Sequence, residues 1–73
     1  MSDEYDPEVS AMYIRFNKGA VAESCEIEDE VIADYDSSGR VLGVEVLNVP
    51  KGTALNRGKL LEKAMRSWPI KKS

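Results

Sequence analysis

Val31-Ile32-Ala33-Asp34-Tyr35, then Asp36-Ser37-Ser38-Gly39-Arg40, then Val41-Leu42-Gly43-Val44-Glu45-Val46-Leu47 is the stretch that decides the fold. Its two outer runs are rich in β-branched residues, which suit a pleated, half-buried surface. The middle is a strong turn, because Asp and Ser bond back to nearby backbone and Gly accepts positive φ. The pattern predicts a hairpin whose second strand turns Leu42, Val44 and Val46 to one face. Upstream, Met12, Ile14 and Phe16 alternate with Tyr13, Arg15 and Asn17, the period of two of a strand with one buried face. Val21 to Ile27 alternates more weakly, with Ala22, Ser24 and Glu26 on the solvated side. Tyr5 ends a further short strand before a turn at Asp6-Pro7-Glu8, where Asp caps free N–H groups and Pro suits a first helical position.

Downstream of Val49, Pro50 and Gly52 break the alternation. Asn56 is placed to cap a helix over Arg57 to Ser67, with Leu61, Ala64, Met65 and Trp68 as its apolar stripe and Lys59, Glu62, Lys63 and Arg66 outside it. Pro69 ends it. Gly58 lowers helix propensity by about 1 kcal/mol relative to alanine, so the first turn is its weakest part. The expected architecture is α+β: a small antiparallel meander of three or four strands over residues 3–48, with one C-terminal helix packed on a sheet face and residues 49–73 completing the same single domain. A helix lying on its own sheet makes the chain self-sufficient, whereas a helix projecting away leaves that face to a second subunit. The small core favours the homodimer.

With 73 residues there is room for one domain, and 42% hydrophobic with 32% charged residues is a globular composition. One cysteine, Cys25, excludes an intrachain disulfide, and its phase with Val21 and Ile27 marks it as a small buried hydrophobe. The absence of histidine removes the usual general base, the commonest zinc ligand and every Ser/His or Cys/His nucleophile pair. Charge is divided along the chain. Residues 1–47 hold twelve acids against Arg15, Lys18 and Arg40, a balance of −9, while residues 48–73 carry seven basic residues against Glu62, a balance of +6. Such a division points to a negative counterpart for the basic segment: nucleic acid, an acidic partner or the chain's own body. No apolar run follows Met1 and none approaches membrane-helix length, so a cytoplasmic address without membrane contact is expected.

The run Tyr5-Asp6-Pro7-Glu8, then Met12-Tyr13-Ile14-Arg15-Phe16, then Asp34-Tyr35-Asp36, Gly39, Gly43 and Glu45-Val46-Leu47 resembles the domain-of-unknown-function family 2283 over residues 5–47. Ser10 stands where the family's usual form has Asp. The resemblance implies a compact antiparallel sheet and carries no established reaction, cofactor or catalytic residue. Some members are encoded beside small toxin-like proteins, which implies an antitoxin-like partner role. The helix and basic tail lie outside the matched region.

Asp34-x-Asp36-x-Ser38-Gly39 with Glu45 at the twelfth position has the outline of a calcium loop. Such a loop needs helices on both sides, while its flanks are strand-like, so the hairpin is preferred and no metal site is expected. The acidic run Glu26, Glu28, Asp29 and Glu30 is the charge of a solvated face. Arg15 has many cross-strand acids with which to pair. No catalytic residue, cofactor or small-molecule substrate is assigned. The leading expectation is a non-enzymatic protein–protein interaction module that uses Arg57, Lys59, Leu61, Lys63, Met65, Arg66 and Trp68. The alternative is nucleic-acid binding through the same basic segment, with Lys71 and Lys72, and with Trp68 stacking on a base.

Overall fold

The computed structural model describes residues 2–8, 10–50 and 52–68, with the backbone alone for residues 2–4 and 6. Five strands precede one helix: β1 (Ser2–Asp6), β2 (Ala11–Arg15), β3 (Glu23–Glu28), β4 (Val31–Tyr35), β5 (Val41–Val46) and α1 (Arg57–Arg66). All pairings are antiparallel and the spatial order is β1-β2-β5-β4-β3. The α+β class, the antiparallel sheet and the single C-terminal helix are therefore present.

Two features go beyond the expected meander of three or four strands. The count reaches five because Ser2–Asp6 pairs along the outer side of β2. The order departs from a meander because β2 pairs with β5 instead of β3. The segment between β2 and β3 crosses the ends of β5 and β4 to do so. Its backbone is held there by Phe16 and Asn17 N–H groups donating to the Leu42 carbonyl (2.8 and 3.1 Å) and by Ala22 N–H donating to Tyr35 O (2.8 Å). These bonds satisfy backbone groups at a strand end that the sheet ladder leaves open.

The β4–β5 hairpin forms where the turn chemistry predicts. Asp36 Oδ1 accepts from the backbone N–H of Ser38 and Arg40, both at 2.9 Å, and from the Ser38 hydroxyl at 2.7 Å. These bonds, led by the Ser38 hydroxyl, hold the Asp36 carboxyl below its ordinary pKa. A bulge between Asp34 and Tyr35 shifts the register, so Tyr35 pairs with Val41 while Asp34 pairs with Gly43. This overturns the place expected for Leu42, while Val44 and Val46 keep the face expected of them. Val41 joins Val31, Ala33, Tyr35, Val44 and Ala64 in the core under the helix, and Leu42 is buried outside that cluster. Phe16, Cys25, Ile27, Val46, Leu60, Leu61 and Trp68 pack around it. Thus α1 lies on its own sheet instead of projecting away from it.

The opposite face carries a polar row. The Tyr13 hydroxyl on β2 donates to Asp34 Oδ2 on β4 at 3.1 Å, passing over β5 at Gly43, and the Ser24 hydroxyl on β3 donates to Asp34 Oδ1 at 2.6 Å. Arg15 lies over the Tyr13 ring, 5.5 Å from its centroid, and no acid among the described residues forms an ion pair with it. Gly43 makes the row possible, since a Cβ there would overlap the Tyr13 hydroxyl. Asp34 is thereby engaged within the sheet and Glu45 stands opposite Ile32, two residues along the strand, so the calcium-loop outline corresponds to a β-hairpin.

Two outcomes are expected. Gly43→Ala destabilises the chain by about 1–3 kcal/mol in denaturant unfolding through overpacking, and a double-mutant cycle shows this loss shrinking in a Tyr13→Ala background. Burial, reinforced by the Asp34 charge and hydrogen bond, pushes the Tyr13 phenol up to about 12. A folded-state pKa above the unfolded value of 10.0 stabilises the neutral form, so this contribution is intact below about pH 10 and is lost as pH rises towards about 12. Tyrosinate absorbance should show late titration of Tyr13 and of the buried Tyr35, of which Asp34→Asn brings only the Tyr13 component back towards its ordinary value. An unchanged titration would show that Asp34 plays no part.

Candidate functional site on the C-terminal helix

Helix α1 begins where its capping residue dictates. Asn56 is extended and its Oδ1 accepts from Lys59 N–H at 3.0 Å, satisfying one of the N–H groups left unpaired in a first turn. Lys63 and Arg66 occupy the last turn, where positive charge complements the helix dipole. Ser67 closes the helix, its hydroxyl donating to Lys63 O at 2.9 Å and its N–H to Lys63 O and Ala64 O.

The face that α1 turns inward differs from the expected stripe. Ala64 is fully buried, and Leu60, Leu61 and Trp68 pack around it, whereas Met65 is 62% exposed. The reason is Tyr35, whose hydroxyl donates to the Ala64 carbonyl at 2.7 Å. That bond brings the helix down onto the sheet at its smallest apolar side chain. With 3.6 residues per turn, centring the buried face on Leu60 and Ala64 carries Met65 to the flank.

The other predicted residues separate into groups. Trp68 packs on Tyr35 with ring centroids 5.0 Å apart and planes tilted by 36°, so its aromatic surface belongs to the fold. Lys63 Nζ reaches Glu28 on β3 at 2.6 Å and Arg66 meets Glu62 at 3.5 Å; these are exposed pairs worth about 0–1 kcal/mol each. Arg57 and Lys59 are exposed in the first turn. Lys71 and Lys72 lie outside the described residues.

Leu61 and Met65 form a ridge between two hollows. One, of about 310 Å³, lies between Leu61, Met65 and Trp68 on the helix and Gly39, Arg40 and Val41 of the hairpin turn, with Asn17 at its end. Asn17 is fixed by donating from its side chain to Val41 O at 2.7 Å, and Arg40 is held by Asp36 at 3.5 Å and by donating to Lys18 O at 3.2 Å. Gly39, at φ 90°, allows Trp68 to close one wall, because a Cβ there would run into the indole. The other hollow, shallower and about 430 Å³, lies on the outward side against Gly58, Leu61, Glu62, Met65 and Arg66. The sequence singled out Leu61, Met65 and Trp68 but missed the hairpin wall, which only the three-dimensional approach of the Gly39–Val41 turn to α1 supplies.

The ridge and the wall should respond differently to substitution. Met65→Glu should leave stability within about 0.5 kcal/mol of the parent in denaturant unfolding, as for an exposed site. Trp68→Ala, which removes the packing on Tyr35, should cost about 2 kcal/mol or more. Equal losses would mean that Met65 is part of the core.

Among the described residues no group of three or more Cys, Asp or Glu side chains is arranged to hold a metal ion, and no helix is long and apolar enough to cross a membrane. No curated protein and no solved structure matches the chain. The model of a family described as "Protein of unknown function (DUF2283)" matches residues 4–49, from within β1 through β5 to Val49. Tyr13, Asp34 and Gly43, which carry the resemblance on the open face, and Tyr35 and Gly39, which carry it under the helix, are the residues that set the strand packing described above. With more than half of its length matched in this way, the chain belongs to the DUF2283 family of proteins of unknown function.

Proposed function

We propose that the chain is a small non-enzymatic protein–protein interaction module that presents the Leu61–Met65 side of α1 to a partner. The observation that carries this reading is Met65, 62% exposed between two hollows on a helix whose inner face its own sheet already fills. Methionine adapts to irregular surfaces and is over-used where one protein grips another. A solvated position one turn from the helix end has no need of it.

Two of the acidic body's carboxylates are engaged within the fold. Asp34 accepts from both Tyr13 and Ser24, and Asp36 is saturated by its own turn. An antitoxin-like role agrees with this picture, since such a protein acts by occupying a surface on its target. Nucleic-acid binding through the basic segment has less support, because Lys63 and Arg66 are paired with acids and the body is strongly acidic.

A photo-reactive residue installed at Met65 tests the proposal inside the native cell, with the same group at Ser24 on the open face as reference. The expected result is a discrete protein adduct from position 65 alone. Equal adducts from both positions, or adducts to DNA with binding that falls linearly on a log–log salt plot, would overturn it.

A further inference from the structure

We infer that Met65 is an oxidation switch on the Leu61–Met65 face: a hydroperoxide converts its thioether to the sulfoxide, whose oxygen is drawn to the Trp68 indole N–H and closes the inner hollow. The inference rests on the interaction-module reading and specifies its regulation. Met65 is 62% exposed, and the core under α1 is built around Ala64 without it. Oxidation at this position therefore changes the surface and leaves the packing in place, whereas a buried methionine would carry the change into the core. Met12, the other methionine whose side chain is described, is half-buried in β2.

The step balances with the peroxide alone. A lone pair on Sδ attacks one peroxide oxygen, the S–O bond forms as the O–O bond breaks, and the second peroxide oxygen leaves as water or alcohol. Sulfur is oxidised and the peroxide reduced by the same electron pair. Sulfoxide reductases restore the thioether with electrons drawn from thiols, so the change is reversible.

The neighbourhood has a place for the new oxygen. Trp68 follows Met65 by three residues, the spacing of neighbours on one side of a helix, and both border the inner hollow. The Nε1 edge of the indole lies against Gly39, on the hairpin wall of that hollow, and no group among the described residues accepts from it. A thioether is a weak acceptor and leaves this donor unanswered. A sulfoxide oxygen answers it, and the side chain that turns in to do so fills the space that a partner would enter.

The probe is hydrogen peroxide on the full chain, followed by peptide mass mapping and by the indole N–H resonance. That signal is unambiguous, because the chain has one tryptophan. The expected result is that Met65 gains one oxygen atom several-fold faster than Met12, and that the indole resonance moves in step with it in the parent chain and stays still in Met65→Leu. Tm should remain within about 4 °C of the unoxidised chain when Met65 is converted, as for a change at an exposed site. For docking, a photo-reactive residue replaces Glu62, which borders the outward hollow and leaves Met65 in place. Its adduct in extract of the native cell should be lost when the chain is oxidised beforehand and kept in Met65→Leu, which retains an apolar ridge without sulfur.

Faster oxidation of Met12, a fall in Tm that Met65→Leu prevents, an indole resonance that does not move, or an adduct that survives with Met65 oxidised would overturn the switch and leave the interaction module standing. Absence of the adduct from the unoxidised chain would bring down the module, and the switch with it.

Discussion

The hydrogen bond from the Tyr35 hydroxyl to the Ala64 carbonyl is the constraint on which the rest of this structure depends. Tyr35 is fully buried, so its hydroxyl needs a partner inside the protein, and a carbonyl in the last turn of a helix has acceptor capacity to offer. Meeting that need fixes how close α1 comes and which residue it brings to the sheet. Alanine at 64 lets the helix backbone reach the phenol. Trp68 then lies on the Tyr35 ring, and Gly39 leaves room for the indole at the hairpin turn. One polar atom in the core thus sets the helix position, the groove beside it and the exposure of Met65.

Much of this was legible in the chain. Period-two alternation around Ile14 and, more weakly, over Val21–Ile27, the β-branched runs on either side of the Asp36–Gly39 turn, and the Asn56 cap mark four of the five strands and the start of the helix to within about two residues, because each rests on local geometry. The misses come from non-local terms. The bulge at Asp34/Tyr35 moves Val41 under the helix, and alternation alone cannot report an inserted residue. The β2–β5 pairing depends on a crossing segment held by the Leu42 and Tyr35 carbonyls. At the candidate site, Leu61, Met65 and Trp68 were visible as a stripe. Their separation into a buried wall and an exposed ridge follows from the bond at Ala64, which no periodicity contains.

The two faces of the sheet do different work. Under α1, packing is apolar and closes around Tyr35. On the open face, Tyr13, Asp34 and Ser24 link three strands across Gly43, so a surface that must meet water is still cross-braced. A phenol, a carboxylate and a hydroxyl that the fold brings together satisfy one another here. The same economy governs the Asp36 turn, whose carboxylate is consumed by Ser38 and Arg40. Carboxylates are plentiful in this chain, and Asp34 and Asp36 serve to hold neighbouring strands and turn backbone in place.

The charge division along the chain has the same physical logic at larger scale. Part of it is answered internally, for Lys63 on α1 reaches Glu28 at the far edge of the sheet and ties the helix across the strands. That contact uses the flank of α1 facing β3. The opposite flank, with Leu61 and Met65, faces the hairpin turn and solvent. A helix held on one side by a salt bridge and beneath by Tyr35 is already fixed in position, so its remaining flank is preorganised and ordering it costs little when something binds. The family match ends at residue 49, before the helix begins. The matched residues are thus those of the sheet, and the apolar ridge of Leu61 and Met65 lies on the helix beyond them.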